Sequence, residues 1–166
     1  MNSGPSSSQR HAFDTVAVLA RWLMGGLFVY MGLEKALDPV EFLKLVRQYE
    51  MVTHSWLLNS IAALLPWFEV FCGLLLLAGV AVRGAALLLL GMLVPFTLLV
   101  LKRALALQAT QGIPFCAVEF DCGCGAGSVL ICSKLLENCA LIFLACWLQN
   151  GRGQKFCARY GLMKSR

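Results

Sequence analysis

Charge is what this sequence has least of. Lys and Arg number 14 and Asp and Glu nine in 166 residues, 14% together, where soluble domains carry about 25%. Hydrophobic residues make up 59%, against roughly 45 to 50% in a soluble chain, so water is excluded as the solvent for most of the surface. A basic stripe is also missing. The net charge of +5 is scattered between apolar runs, which excludes a nucleic-acid interface. The apolar runs hold no ring of charge either, which makes a channel or transporter a poor fit. Eight cysteines are too few, in a chain of this length, for a small scaffold held by disulfides. Their positions must carry the meaning.

What is present is apolar sequence in long blocks. A bilayer core takes about 20 apolar residues per helix, and the chain can supply four such spans but not six. They fall at about 15–33, 59–80, 85–101 and 129–148, which predicts an all-α membrane protein, a four-transmembrane-helix bundle. Residues 1–13 are polar and Ser-rich and read as a disordered tail, residues 14–150 as the membrane domain, and residues 151–166 as a basic tail. The first apolar block is too long for a signal peptide and lacks the small-residue cleavage pattern. Arg21 lies a turn and a half inside the first span, close enough to snorkel to the interface. Arg83 and Gly84 read as the break between the second and third spans. Lys102 and Arg103 end the third, and a loop of about 25 residues follows.

Between the first two spans, DPVEFLKLVRQYEMV sets Val40, Leu43, Val46, Phe42, Leu45 and Tyr49 opposite Glu41, Lys44 and Arg47. This amphipathic spacing predicts about three helical turns, lying in the interface plane or capping the bundle. With four spans, both termini share one side and both longer loops the other. Eight Lys and Arg fall with the termini and six with the loops, a bias that favours cytoplasmic termini.

Cys116, Cys122, Cys124 and Cys132 cluster in or beside the last loop. With termini inside, that loop faces the oxidising side, where disulfides persist. Cys122 and Cys124 are separated by Gly123 alone. A bridge between them closes a small, strained ring of the exchanging kind, which glycine's backbone freedom allows. A nearby helix start favours the thiolate, so the pair suits thiol–disulfide exchange. Two other arrangements stay open. The four can form fixed bridges, for example Cys116 and Cys132 each joined to one member of the pair, and sequence does not choose among connectivities. Four thiolates also suit zinc or an iron–sulfur group, but C-x5-C-x-C-x7-C is a poor match to the usual spacing, and no metal is expected.

Cys132, Cys139 and Cys146 recur every seven residues and rise about 10.5 Å per step, too far to bridge one another. Small residues on one stripe suit helix contacts in lipid, so Cys139, Cys146 and Cys72 read as core packing. Gly25 with Gly32, and Gly84 with Gly91, read as close-packing points. Glu69 lies about ten residues into an apolar helix, where a carboxylate is expensive and is paired, protonated or functional. Glu34 and Lys35 end the first span on the same side. A Lys35–Glu69 contact is therefore open, either as a lock between helices or as a proton donor and acceptor for thiol or quinone chemistry. Asn138 belongs to the same polar support, or bonds across helices.

The order FVYMGLEKALDPVEFLKLVRQYE, LLPWFEVFCGLLLLAG, then a Cys-Gly-Cys loop before a final span with Asn138 resembles the DoxX-like family, within it the methylamine-utilisation protein E (MauE) branch. Gly32 with Lys35, Phe42 and Tyr49, Pro66 with Glu69 and Gly73, Cys122 with Cys124, and Asn138 carry the resemblance over about residues 15–148. It implies a redox-associated protein of the bacterial inner membrane that supports disulfide formation in exported proteins such as methylamine dehydrogenase. Relatives are subunits of thiosulfate:quinone oxidoreductases, so a membrane quinone is the candidate electron acceptor. The implied partners are the lipid bilayer, an exported thiol protein and other membrane subunits. Cys122 and Cys124 match the family's pair. Gly125 and Ala126 stand where Phe-Gly is common, and Cys116 and Cys132 are additional, as a shuttle or as bracing disulfides. The rival expectation is a non-catalytic subunit of a larger respiratory or quinone-linked complex with inert loop bridges.

Overall fold

A computed structural model describes residues 7–48, 54–121 and 128–149. Its order is α1 (Ser7–Leu37), α2 (Pro39–Gln48), α3 (Ser55–Ala78), α4 (Val82–Gln111), a 3-10 turn (Phe115–Ala117), β1 (Glu119–Asp121), β2 (Ser128–Leu130) and α5 (Ile131–Gln149). The four long helices contain segments long and apolar enough to cross a membrane, and the short helix sits where the amphipathic spacing put it. Along no span is more than 39% of the apolar window buried inside the bundle. The rest faces outward, including Trp22, Leu64, Trp67, Leu98, Leu136 and Phe143. Such a surface would be a liability in water; in a bilayer it is the lipid-facing surface. The chain is therefore a four-span, multi-pass membrane protein.

Helix α1 packs along α3, and α4 along α5. The first pair meets through glycine. A Cβ on Gly25 would lie 2.9 Å from the Gly73 carbonyl oxygen, one on Gly73 2.7 Å from the Gly25 oxygen, and one on Gly32 2.8 Å from the Pro66 oxygen. Only hydrogen fits at such a crossing, which is how small residues bring helices together in lipid. One core joins Met24 and Phe28 to Cys72, Leu76, Leu89, Leu93, Leu141 and Ala145. A second, at the loop end, joins Val100, Ala104, Val118 and Ile131.

Helix α2 starts cleanly. Asp38 Oδ1 accepts from the Glu41 amide at 3.1 Å, an N-cap contact, and Pro39 takes the first position, where no N–H is required. Phe42 is buried, while Glu41, Lys44 and Arg47 face out. Lys44 pairs with Glu41, and that hydrogen bond, then the carboxylate's charge, lifts the ammonium pKa above its ordinary value. Tyr49 lies outside the described residues.

Several boundaries move. Helix α1 begins at Ser7, inside the expected tail, because no Gly or Pro interrupts the chain after Pro5 until well inside the span and helix propensity differs little among the polar residues there. The break between the second and third spans falls at Gly79–Ala81, not at Arg83 and Gly84. Gly79 adopts φ 69°, and amides of Gly79 and Val80 close the helix end onto Leu76 and Leu75 carbonyls, a Schellman-type stop that favours glycine. Arg83 and Gly84 then lie in the first turn of α4. Lys102 and Arg103 do not end the third helix either. It continues to Gln111, where Gly112 at φ 66° stops it: charge does not end a helix, whereas a glycine in the left-handed conformation does. The expected long loop is accordingly a short turn and a hairpin, and Val129 lies in β2 before α5 begins.

Candidate functional site

A disulfide lies at the loop-side end of the bundle, where α5 starts. Cys132 is the second residue of that helix, half-buried, and is disulfide-bonded to the exposed Cys116 of the 3-10 turn, with Cα atoms 5.1 Å apart. The pairing departs from the fixed-bridge example in which each of these cysteines joins the Cys-Gly-Cys unit. It follows from local folding. The Ile131 amide donates to the Val118 carbonyl at 3.1 Å, and β1 pairs antiparallel with β2, Glu119 opposite Leu130 and Asp121 opposite Ser128. That ladder folds the chain back so that the residues before β1 meet those after β2. Cys122, Gly123 and Cys124 follow β1 in sequence and lie outside the described residues.

Deeper in the bundle, Lys35 Nζ donates to both Glu69 oxygens, at 2.8 and 2.7 Å, and both residues are 7% exposed. Glu69 sits one turn below Pro66, against which Gly32 packs; the glycine crossing brings α1 close enough for Lys35 to reach. The Phe42 ring, contributed by α2, lies 5.6 Å from Lys35 Nζ, so the ammonium has a carboxylate on one side and a ring face on another. Glu34 does not join this pair. It is exposed and accepts a hydrogen bond from Tyr30 at 3.0 Å.

Asn138 is 1% exposed, and its Nδ2 has no hydrogen-bond partner among the described residues. It belongs to a seam of Ile131, Lys134, Asn138, Leu141, Ala145 and Leu148, all buried. Lys134 was not singled out from the sequence. It is 2% exposed and pairs with Glu137 at 3.0 Å. Its signal was the alternation of three- and four-residue steps along α5, which marks an interior face. The cysteine stripe runs one residue off that seam, about 100° around the helix. Cys139 and Cys146 are thus exposed instead of packed in the core, while Cys72 is buried as expected. Gly84 and Gly91 likewise have open space where a Cβ would stand, so they are not packing points within the chain. Arg21 is 1% exposed, so its side chain is enclosed by the bundle instead of snorkelling outward.

An apolar groove of about 620 Å³ runs along α3 between Leu57 and Phe71. Its walls come from one helix face and hold no titratable group, so it belongs to the lipid-facing surface and not to the polar centre.

Fold and site together define a class: a four-span helical membrane protein with a buried Lys–Glu pair and a disulfide-tied hairpin at one end. Within that class the chain belongs to the family of the methylamine utilisation protein MauE, whose pattern matches residues 13–150. No curated protein and no solved structure matches it.

Proposed function

We propose that this chain is a redox-associated accessory of the bacterial inner membrane, its termini cytoplasmic, that supports oxidation or maturation of exported proteins by thiol–disulfide exchange at the outer face. The observation that carries the reading is the Cys116–Cys132 disulfide at the loop end, since stable bridges belong to oxidising compartments. In this scheme Cys122 and Cys124 cycle between disulfide and dithiol: a client thiolate attacks the bond, a mixed disulfide forms, and the second client thiol resolves it. The electrons then pass to an acceptor. For a membrane quinone, which accepts two electrons and two protons, the buried donors that fit a carbonyl oxygen are Asn138 Nδ2, with no partner among the described residues, and Lys134 Nζ. The α3 groove offers no comparable pair.

The test is adduct trapping in cells that export a thiol-containing client. Cys122→Ala and Cys124→Ala are expected to differ, one accumulating a mixed disulfide with the client and the other not, and both should slow client oxidation. Absence of adducts together with unchanged client oxidation overturns the proposal.

A second reading has its own observation. Cys139, Cys146, Gly84 and Gly91 present small residues outward, as a surface against another membrane subunit would. A stable stoichiometric complex, active after loss of Cys122 and Cys124, would favour a non-catalytic subunit.

A further inference from the structure

The Cys116–Cys132 disulfide is held in a setting that does not require it. One backbone hydrogen bond ties the two segments, Ile131 to Val118, while Ala117 to Pro114 and Val118 to Phe115 close the turn itself. The β1–β2 ladder adds to that tie. Beneath, Val118 and Ile131 are fully buried against Val100 and Ala104, with Phe115 and Leu135 packed alongside. A bridge that braces is expected where the chain would otherwise part. Here the turn and the helix start are already joined, so opening the bond leaves both sulfurs beside each other and ready to close again.

The two sulfurs are also unequal. Cys116 is exposed on the turn, whereas Cys132 is half-buried in the first turn of α5. Helix N-termini present unpaired amides and the positive end of the dipole, which favours negative charge on Cys132 over Cys116. Exchange is faster when the leaving thiol is the better-stabilised anion and the attacked sulfur is the accessible one. The exposure of Cys116 and the helix start at Cys132 select the same direction, while the packing of Cys132 against Val118 and Ile131 opposes its charge in part.

We infer that Cys116–Cys132 is itself an exchanging redox pair, with Cys116 the entry sulfur and Cys132 the leaving group. It rests on the proposed function only for the class of client, a protein dithiol. A client thiolate attacks Cys116 Sγ; a client–Cys116 bond forms, the Cys116–Cys132 bond breaks, and Cys132 departs as a thiolate. The client's second thiolate then attacks its own bonded sulfur and expels Cys116. The client has lost two electrons and two protons and gained a disulfide, while Cys116 and Cys132 have become a dithiol. The pair returns to the disulfide by the reverse exchange with a second disulfide on a partner protein, which takes the two electrons.

The test uses the full chain in lipid nanodiscs carrying Cys122→Ser and Cys124→Ser, so the result does not depend on that pair. Each preparation is reduced, the reductant is removed, and oxidised glutathione is added, with adducts located by peptide mass spectrometry. In Cys132→Ser, glutathione should accumulate on the exposed Cys116; in Cys116→Ser, modification of Cys132 should be roughly tenfold slower, because its half-burial limits access more than its thiolate character speeds attack. With both cysteines present the adduct should be transient and the disulfide should re-form. The same protein, titrated in glutathione buffers, should open and close reversibly while the bundle stays folded. Equal labelling of the two single variants overturns the assignment of roles. A bond that glutathione cannot open until the bundle melts is a brace and overturns the inference. Failure here would leave the client-adduct test of Cys122 and Cys124 standing, and the reverse.

Discussion

At Lys35 and Glu69 two charges leave water together, and each is tolerable only because of the other. Removing one partner strands a buried charge and costs about 3–5 kcal/mol, whereas replacing both by apolar residues of similar volume is often neutral. Glu69→Ala is accordingly expected to lower the unfolding transition in detergent strongly, and Lys35→Met with Glu69→Leu to restore most of it. Thermal melting of the three proteins checks this. Restored stability with lost client oxidation would assign the pair a role in proton handling; restored stability with full activity would make it a lock between α1 and α3. Composition made Glu69 conspicuous, because a carboxylate amid apolar sequence is always costly. Nothing in composition announced Lys134, which reads as one more loop-side lysine until the seam of α5 is traced around it.

At the level of elements, the glycines separate by what faces them. Gly32 and Gly73 lie against backbone oxygens under 3 Å from a prospective Cβ, so Gly32→Ala or Gly73→Ala forces α1 and α3 apart, at a cost of roughly 1–3 kcal/mol. Gly84 and Gly91 meet open space. Alanine there should be neutral or stabilise by about 0.5–1 kcal/mol through helix propensity. Melting midpoints of the four single variants should fall into those two groups; a similar drop for Gly84→Ala or Gly91→Ala would show that this face is covered by another subunit. Gly25 and Gly32 stand seven residues apart, as do Gly84 and Gly91, so spacing could not distinguish the two pairs. Periodicity fixes which residues share a face, but not which face turns inward.

For the whole molecule, the testable statement is its orientation in the bilayer. Cytoplasmic termini place Cys116 outside, so a membrane-impermeant maleimide should label it in intact cells after reduction, and should not label a cysteine introduced at Arg10 until the membrane is opened. The reverse pattern would put the disulfide on the reducing side and remove the basis of the exchange proposal. The four spans and the amphipathic helix were legible because each depends on nearby residues: length against bilayer thickness, and alternation within three turns; the stops at Gly79 and Gly112 were not, because nearby charge drew the boundaries to Arg83 and to Lys102 and Arg103. The partner of Cys116, the burial of Lys134 and the outward turn of Cys139 and Cys146 were not legible. Those depend on how one helix rotates against another and on where a hairpin returns the chain. Sequence sets what a segment is able to form, because propensity and hydropathy are local; contact between segments far apart is set only when the bundle closes and each helix face finds lipid or a neighbour.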